Sequence, residues 1–174
     1  EDEYPRTKTW FMPRPCMHCD NAPCVKVCPV GARFKQENGL VATDSDRCIG
    51  CRYCQMACPY QARAFNWEEF DGDNPAVPDF GKPEVERRPR GVVEKCSFCY
   101  HRIDRGLEHG MTPGVDTFAS PACVVTCPVD ARMFGDLNDP HSNISETLEN
   151  NAYFQLRPDM GNDTRVYYLP ARDA

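Results

Sequence analysis

Twelve cysteines dominate the chemistry open to this 174-residue chain, and they fall into three groups of four. The groups are Cys16-x2-Cys19-x4-Cys24-x3-Cys28, Cys48-x2-Cys51-x2-Cys54-x3-Cys58 and Cys96-x2-Cys99-x23-Cys123-x3-Cys127, and each closes with Cys-Pro. Four thiolates is the ligand count of a cubane iron–sulfur cluster, and the second group has the spacing of a bacterial ferredoxin run. A Cys-x2-Cys loop grips one cluster from a tight turn and leaves backbone N–H groups to face its sulfides. Those hydrogen bonds and the exclusion of water set the reduction potential. Gly50, inside Cys48-Ile49-Gly50-Cys51, suits a backbone that must come close to such a group.

In two-cluster ferredoxins the fourth cysteine of each run binds the other cluster. Applied to the first two groups, that crossing gives Cys16, Cys19, Cys24 and Cys58 to one cluster, and Cys48, Cys51, Cys54 and Cys28 to a second. The third group has no partner run, so Cys96, Cys99, Cys123 and Cys127 are assigned together. The expectation is three [4Fe-4S] clusters that pass single electrons. Zinc favours two separated Cys-x2-Cys knuckles, which no group here contains. Six disulfides would use every cysteine but leave the repeated Cys-x3-Cys-Pro unexplained. Attached haem needs Cys-x-x-Cys-His, whereas Asp20, Gln55 and Tyr100 follow the three Cys-x2-Cys pairs. No nucleophile elbow, phosphate loop or dinucleotide fingerprint occurs, so no catalytic residue is expected and substrate turnover belongs elsewhere.

The residues around the cysteines carry charge. Arg33, Arg47, Arg52, Arg63, Arg102 and Arg132 all lie near cysteines in sequence, either as counter-charges to clusters or as solvated surface cations. His18 and His101 also lie beside cysteines. Ordinary surface histidines are the expected reading, with a hydrogen bond toward a cluster as the alternative.

Composition limits what else the chain does. It is 41% hydrophobic, but only about a third once the cysteines are set aside, and it has 16 prolines and 11 glycines. Such a thin, loop-rich core needs staples, and metal loading should be coupled to folding. Net charge is −6, which disfavours nucleic acid as a partner. No apolar run approaches the ~18 residues of a membrane span, and no signal segment is visible. The chain begins at Glu1 rather than Met, which points to processing or truncation, with a removed targeting segment left open.

The elements that hold the cysteines repeat as well. Each closing cysteine opens Cys-Pro-x-x-Ala-Arg: at Cys28 to Arg33, Cys58 to Arg63 and Cys127 to Arg132. A six-residue pattern met three times argues for duplicated supersecondary units. Short helices are predicted over Pro23 to Val27, Cys54 to Ala57 and Pro121 to Thr126, each stopped ahead of the proline. A hairpin is predicted from Phe34 to Gln36 and Leu40 to Thr43 around Glu37-Asn38-Gly39, with both Asn38 and Gly39 able to take positive φ. The fold class is therefore α+β: a duplicated ferredoxin-like fold of the bacterial multi-cluster type, with loop-rich insertions and a C-terminal extension. Boundaries fall at 1–66 for a lobe binding two clusters, 67–92 for an irregular Pro-rich connection, 93–135 for a third cluster-binding lobe and 136–174 for the extension. Within the extension, Asn143-x-x-Glu146 reads as a capping box before a helix ending near Asn150-Asn151, and Arg165 to Leu169 reads as a strand. Whether the extension packs back or docks a partner is open at this level.

Cys16-Met17-His18-Cys19-Asp20-Asn21-Ala22-Pro23-Cys24, Cys48-Ile49-Gly50-Cys51-Arg52-Tyr53-Cys54, Pro121 to Pro128 and Phe134 to Pro140 together resemble the electron-transfer subunits of the DMSO reductase group. The resemblance covers nearly the whole chain and is nearest to the type found with polysulfide-reductase-like membrane subunits, in polysulfide and tetrathionate reductases, alternative complex III and the sulfate reducers' membrane complexes. It implies a quinone-reactive integral membrane partner, and a molybdopterin subunit or multihaem cytochrome. It also implies a membrane-associated position on the extracytoplasmic (periplasmic) face. The family usually has a fourth cysteine run ahead of the one at Cys16, pairing with the last group, and this chain shows none. The function expected is a non-catalytic electron-transfer subunit of a respiratory complex, relaying electrons between the membrane subunit and another redox subunit. A freestanding soluble polyferredoxin is the alternative.

Overall fold

A computed structural model describes residues 11–69 and 88–170. The Pro-rich connection expected over 67–92 lies mostly outside the described residues.

The Cys-Pro repeat extends to the backbone. Helix α1 (Pro23–Lys26) has proline at its first position, where a missing N–H costs nothing. Helices α2 (Tyr53–Met56) and α4 (Ala122–Val125) occupy the same place in the other two units, within a residue or so of the predicted bounds. Each helix ends as the closing cysteine's N–H bonds back: Cys28 to the Val25 carbonyl at 3.3 Å, Cys58 to Gln55 at 3.4 Å and Cys127 to Val124 at 3.2 Å. Three residues past each of these cysteines the chain takes positive φ, at Gly31 (63°), Gln61 (52°) and Asp130 (48°). The N–H of each of those residues bonds to the cysteine carbonyl at 3.3 Å.

Strands β1 (Arg33–Lys35) and β2 (Val41–Thr43) pair antiparallel in the register Arg33↔Thr43, Phe34↔Ala42, Lys35↔Val41. Of the turn residues only Gly39 takes positive φ (83°), not Asn38. The Gly39 N–H bonds to Gln36 O at 2.9 Å and the Gln36 N–H to Leu40 O at 2.8 Å. The loop is thus a three-residue turn closed by a left-handed glycine rather than a two-residue Asn-Gly turn. Strand β3 (Ala64–Phe65) pairs antiparallel with β4 (Val93–Glu94), far away in sequence. The third unit is built differently. Its cysteine pair leads into α3 (Tyr100–Glu108), a helix that no signal in the sequence announced. Arg102 holds α3 to the segment before α4, donating from Nε to Ser120 O at 2.8 Å and from Nη2 to Thr117 O at 2.6 Å. Short helices alternating with small antiparallel pairs give the α+β character expected, but the hairpin of the first unit and the long-range pair of the second are not copies.

The extension packs back on the chain's first cysteine loop. Asp20 N–H bonds Asp163 O at 2.8 Å, Asn21 N–H bonds Asn162 O at 3.1 Å and Arg165 N–H bonds Met17 O at 2.9 Å. The Tyr168 hydroxyl adds a bond to Pro13 O at 2.9 Å. The predicted strand at Arg165 to Leu169 is reduced to one bridge between Phe154 and Tyr168. Helix α5 (Asn143–Asn150) is capped one residue earlier than predicted: Ser142 Oγ accepts from Ser145 N–H at 3.2 Å. A serine hydroxyl is well placed for that role and takes it from Asn143.

The core is built around the metal-binding residue type itself. Met17, Val41, Val93 and Tyr60 are buried with Cys19, Cys24 and Cys54, and Leu156, Val166 and Tyr168 of the extension cover them. Among the described residues no helix is long and apolar enough to cross a membrane.

Gly106 marks a close contact between α3 and the 117–119 turn. A Cβ there would fall 2.3 Å from Ala119 Cβ and 2.8 Å from its Cα, so α3 and the 117–119 turn would have to part. Gly106→Ala is expected to cost about 1–3 kcal/mol and to lower Tm by several degrees, measured by thermal unfolding of the anaerobic protein. An unchanged Tm would show that this contact yields freely.

Candidate metal centres

None of the twelve cysteines is bridged to another by a disulfide. Their loops share one distortion. The residue before the second cysteine of each Cys-x2-Cys pair takes positive φ: His18 (43°), Gly50 (67°) and Phe98 (52°). For the two non-glycine residues this costs of order 1–2 kcal/mol, a strain that clusters at functional loops. Gly50 meets a further demand, since a Cβ there would stand 2.1 Å from Gly91 O. The close backbone approach read from the sequence is thus, in part, an approach to Gly91 beside β4.

The first group gathers around Cys19. Burial pushes its thiol up to about 12, and the neighbouring Cys16, Cys24 and Cys58 push it the same way. Cys24 is raised by burial too, with Arg63 opposing and Cys16 and Cys58 adding. The structure therefore brings Cys58, from the second run, to the cysteines of the first. Around the second group a small, partly open pocket is lined by Cys28, Cys48, Cys51 and Cys54, with Arg33, Gly50 and Val93 among its walls. Here Cys28, from the first run, stands with the cysteines of the second. In the third group, burial raises Cys96, and its thiol neighbours are Cys16 and Cys123. Cys127 is lowered by the backbone N–H groups of Val129 and Ala131. The Ala131 N–H donates to its Sγ at 3.3 Å. Cys99 heads α3 in a left-handed conformation. Among the described residues no three His, Cys, Asp or Glu side chains converge as they would on a single ion.

His18 corrects the surface reading: it is fully buried. Val41 N–H donates to its Nδ1 at 3.0 Å, so Nε2 carries the proton and donates to Cys96 O at 3.1 Å. Burial, with Lys95 nearby, pushes its pKa down to about 3 and keeps it neutral. Its ring stacks on Phe98 at 4.0 Å. One imidazole thus joins the first cysteine loop, β2 and the third cysteine loop.

The arginines divide. Arg33 and Arg63 are buried. Arg33 donates to Thr43 Oγ1 and to Val93 O. Arg63 donates from Nη2 to Cys24 Sγ, while its Nε and Nη1 are buried without a partner among the described residues. Arg52 lies over Phe65 and Trp67, Arg47 pairs with Asp44 at 3.2 Å, and Arg132 is exposed. Lys95 does not stand out in the sequence, yet its Nζ donates to Cys96 O at 3.0 Å. A buried guanidinium turned to a thiol, with spare donors, fits a thiolate-held anionic group.

Two family models described as a 4Fe-4S dicluster domain match residues 7–72 and 47–131. The menaquinone reductase iron–sulfur cluster-binding subunit of Nitratidesulfovibrio vulgaris is 42% identical over 98% of this chain and 69% of its own length. The chain belongs to the iron–sulfur electron-transfer subunits of the DMSO reductase group. An iron–sulfur subunit assigned to a dimethyl sulfoxide reductase in Halobacterium salinarum is 47% identical over 91% of this chain and 55% of its own length. An Hdr-like menaquinol oxidoreductase iron–sulfur subunit 1 of Archaeoglobus fulgidus is 44% identical over 92% and 57%. The chain thus spans little more than half of several relatives it matches. As an iron–sulfur subunit it carries tandem 4Fe-4S dicluster domains, so the zinc and disulfide readings fall away.

His18→Leu would orphan the Val41 N–H and the Cys96 carbonyl in a dry site. We expect a loss of about 2–6 kcal/mol, read as a lowered guanidinium midpoint of the anaerobic protein. An unmoved midpoint would mean that the imidazole is not the tie described.

Proposed function

We propose that the chain relays single electrons through three [4Fe-4S] clusters in the order second, first, third. Cys16, Cys19, Cys24 and Cys58 hold the first cluster, Cys28, Cys48, Cys51 and Cys54 the second, and Cys96, Cys99, Cys123 and Cys127 the third. Such clusters, when bound, supply one-electron chemistry over a wide range of potentials. The protein's part is to hold them close, keep them dry and offset their charge.

One observation supports this reading: cysteines of the first group lie near cysteines of both other groups. Cys58 crosses to the first group, Cys28 crosses to the second, and Cys16 lies within electrostatic reach of Cys96. The ends differ from the middle. Three cysteines of the first site, Cys16, Cys19 and Cys24, are buried, against Cys54 alone in the second and none in the third, and Cys51 and Cys123 are exposed. The first site is then the interior relay, and the second and third face redox partners. In this reading 1–66 forms a two-cluster lobe, 93–135 carries the third, 67–92 connects them and 136–174 extends them.

The names of the relatives extend the proposal to the setting. Two are named for menaquinone or menaquinol and one for a dimethyl sulfoxide reductase. We place this chain in a membrane-associated respiratory complex. It would stand between a quinone-reactive membrane subunit and another redox subunit, a molybdopterin protein or multihaem cytochrome, on the extracytoplasmic face. The chain itself is non-catalytic.

Cys51→Ser is the direct test. It should remove about a third of the iron and one reducible paramagnetic species, read by iron analysis and electron paramagnetic resonance during anaerobic reduction. Wild-type iron content in the variant would show that Cys51 is not a ligand. Purification from the native source should bring the chain down with membranes and with a quinone-reactive subunit. A monomer in the soluble fraction would refute the complex.

A further inference from the structure

Positive charge gathers beside Cys16 and Cys24 of the first group and Cys96 of the third. Arg33 and Arg63 are buried, and Lys95 is half-buried beside them. Lys95 lies within electrostatic range of both arginines as well as of Cys16 and Cys96, and Cys24 lies within range of both arginines. Among the described residues no carboxylate is buried, so none offsets these cations in the interior. Buried like charges without counter-ions are strongly unfavourable. Arg33 is satisfied by Thr43 and the Val93 carbonyl, and Lys95 by the Cys96 carbonyl. Arg63 is not: one nitrogen reaches Cys24 Sγ, and two more are buried with nothing to bond among the described residues.

We propose that Arg63 is a counter-ion in contact with the iron–sulfur group of the first site, and that with Arg33 and Lys95 it raises that group's reduction potential. The inference rests on the cluster assignment above. Its chemistry is simple. One electron from an external one-electron donor enters the group and adds one negative charge; no bond to the protein forms or breaks. A guanidinium held at the thiolate favours the more anionic, reduced state over the oxidised one. Because the cations are already in place, no proton need follow the electron. The interior relay site is thereby kept easy to reduce although it is the most buried of the three.

The test is a potentiometric titration with dithionite of the anaerobic holo-protein, followed by electron paramagnetic resonance, in Arg63→Gln and Arg63→Lys. Arg63→Gln should lower one midpoint by at least 59 mV, a tenfold change in the one-electron equilibrium constant. Arg63→Lys, which keeps the charge, should hold it within a threefold change. Unmoved midpoints in Arg63→Gln with full iron content would overturn the proposal, and so would an equal drop in both variants, which would reflect packing rather than charge. If Arg63→Gln fails to assemble the first cluster, Lys95→Gln is titrated in its place, and the absence of any lowering there overturns the proposal. A wild-type protein without any reducible iron–sulfur signal would sink the cluster assignment itself, and this inference with it.

Discussion

Cys19 and Cys24 are buried in the same hydrophobic cluster as Met17, Val41 and Val93. The thiols that must ionise to hold metal therefore sit where ionisation is hardest. Cys19, crowded by three other thiols, would stay protonated at any ordinary pH were no cation present. Iron supplies the missing positive charge, and Arg63, Arg33 and Lys95 supply more of it. Charge matching between thiolates and cations inside a thin apolar core would couple metal loading to folding. A protein with so few large apolar residues has little else to fold around.

The surrounding architecture serves that arrangement. Left-handed residues at His18, Gly50 and Phe98 set the three Cys-x2-Cys loops. Left-handed residues at Gly31, Gln61 and Asp130 turn the chain away after each Cys-Pro. His18 ties the first loop to the third through one hydrogen bond, to Cys96 O, and to β2 through another, accepted from the Val41 N–H. The extension clamps the first loop from outside, with Arg165 pairing with Asp20 at 2.7 Å beneath the backbone bonds at Met17, Asp20 and Asn21. An exposed pair of this kind adds little by itself, but the backbone bonds fix the loop that carries Cys16 and Cys19.

Local features were legible in the chain. The cysteine spacing, the thrice-repeated Cys-Pro-x-x-Ala-Arg and the helices ahead of each proline depend on neighbours a few residues apart, and they stand in the structure within a residue or so. The hairpin was legible in place but not in turn type, because two adjacent residues can each take positive φ and only Gly39 does. What escaped was non-local. β3 meets β4 across the Pro-rich connection, and Arg63 reaches Cys24. His18 bonds a carbonyl 78 residues away. Nothing in composition or spacing distinguishes that histidine from a surface one. Helix α3 was hidden differently, since its polar sequence shows only Ile103 and Gly106 to the interior.

The account stands or falls on what the thiols hold. Iron and acid-labile sulfide should be counted per chain in protein purified without oxygen. Three cubanes predict about twelve of each, in a brown preparation. Iron-free protein with zinc in the cysteine sites and no sulfide would contradict it outright.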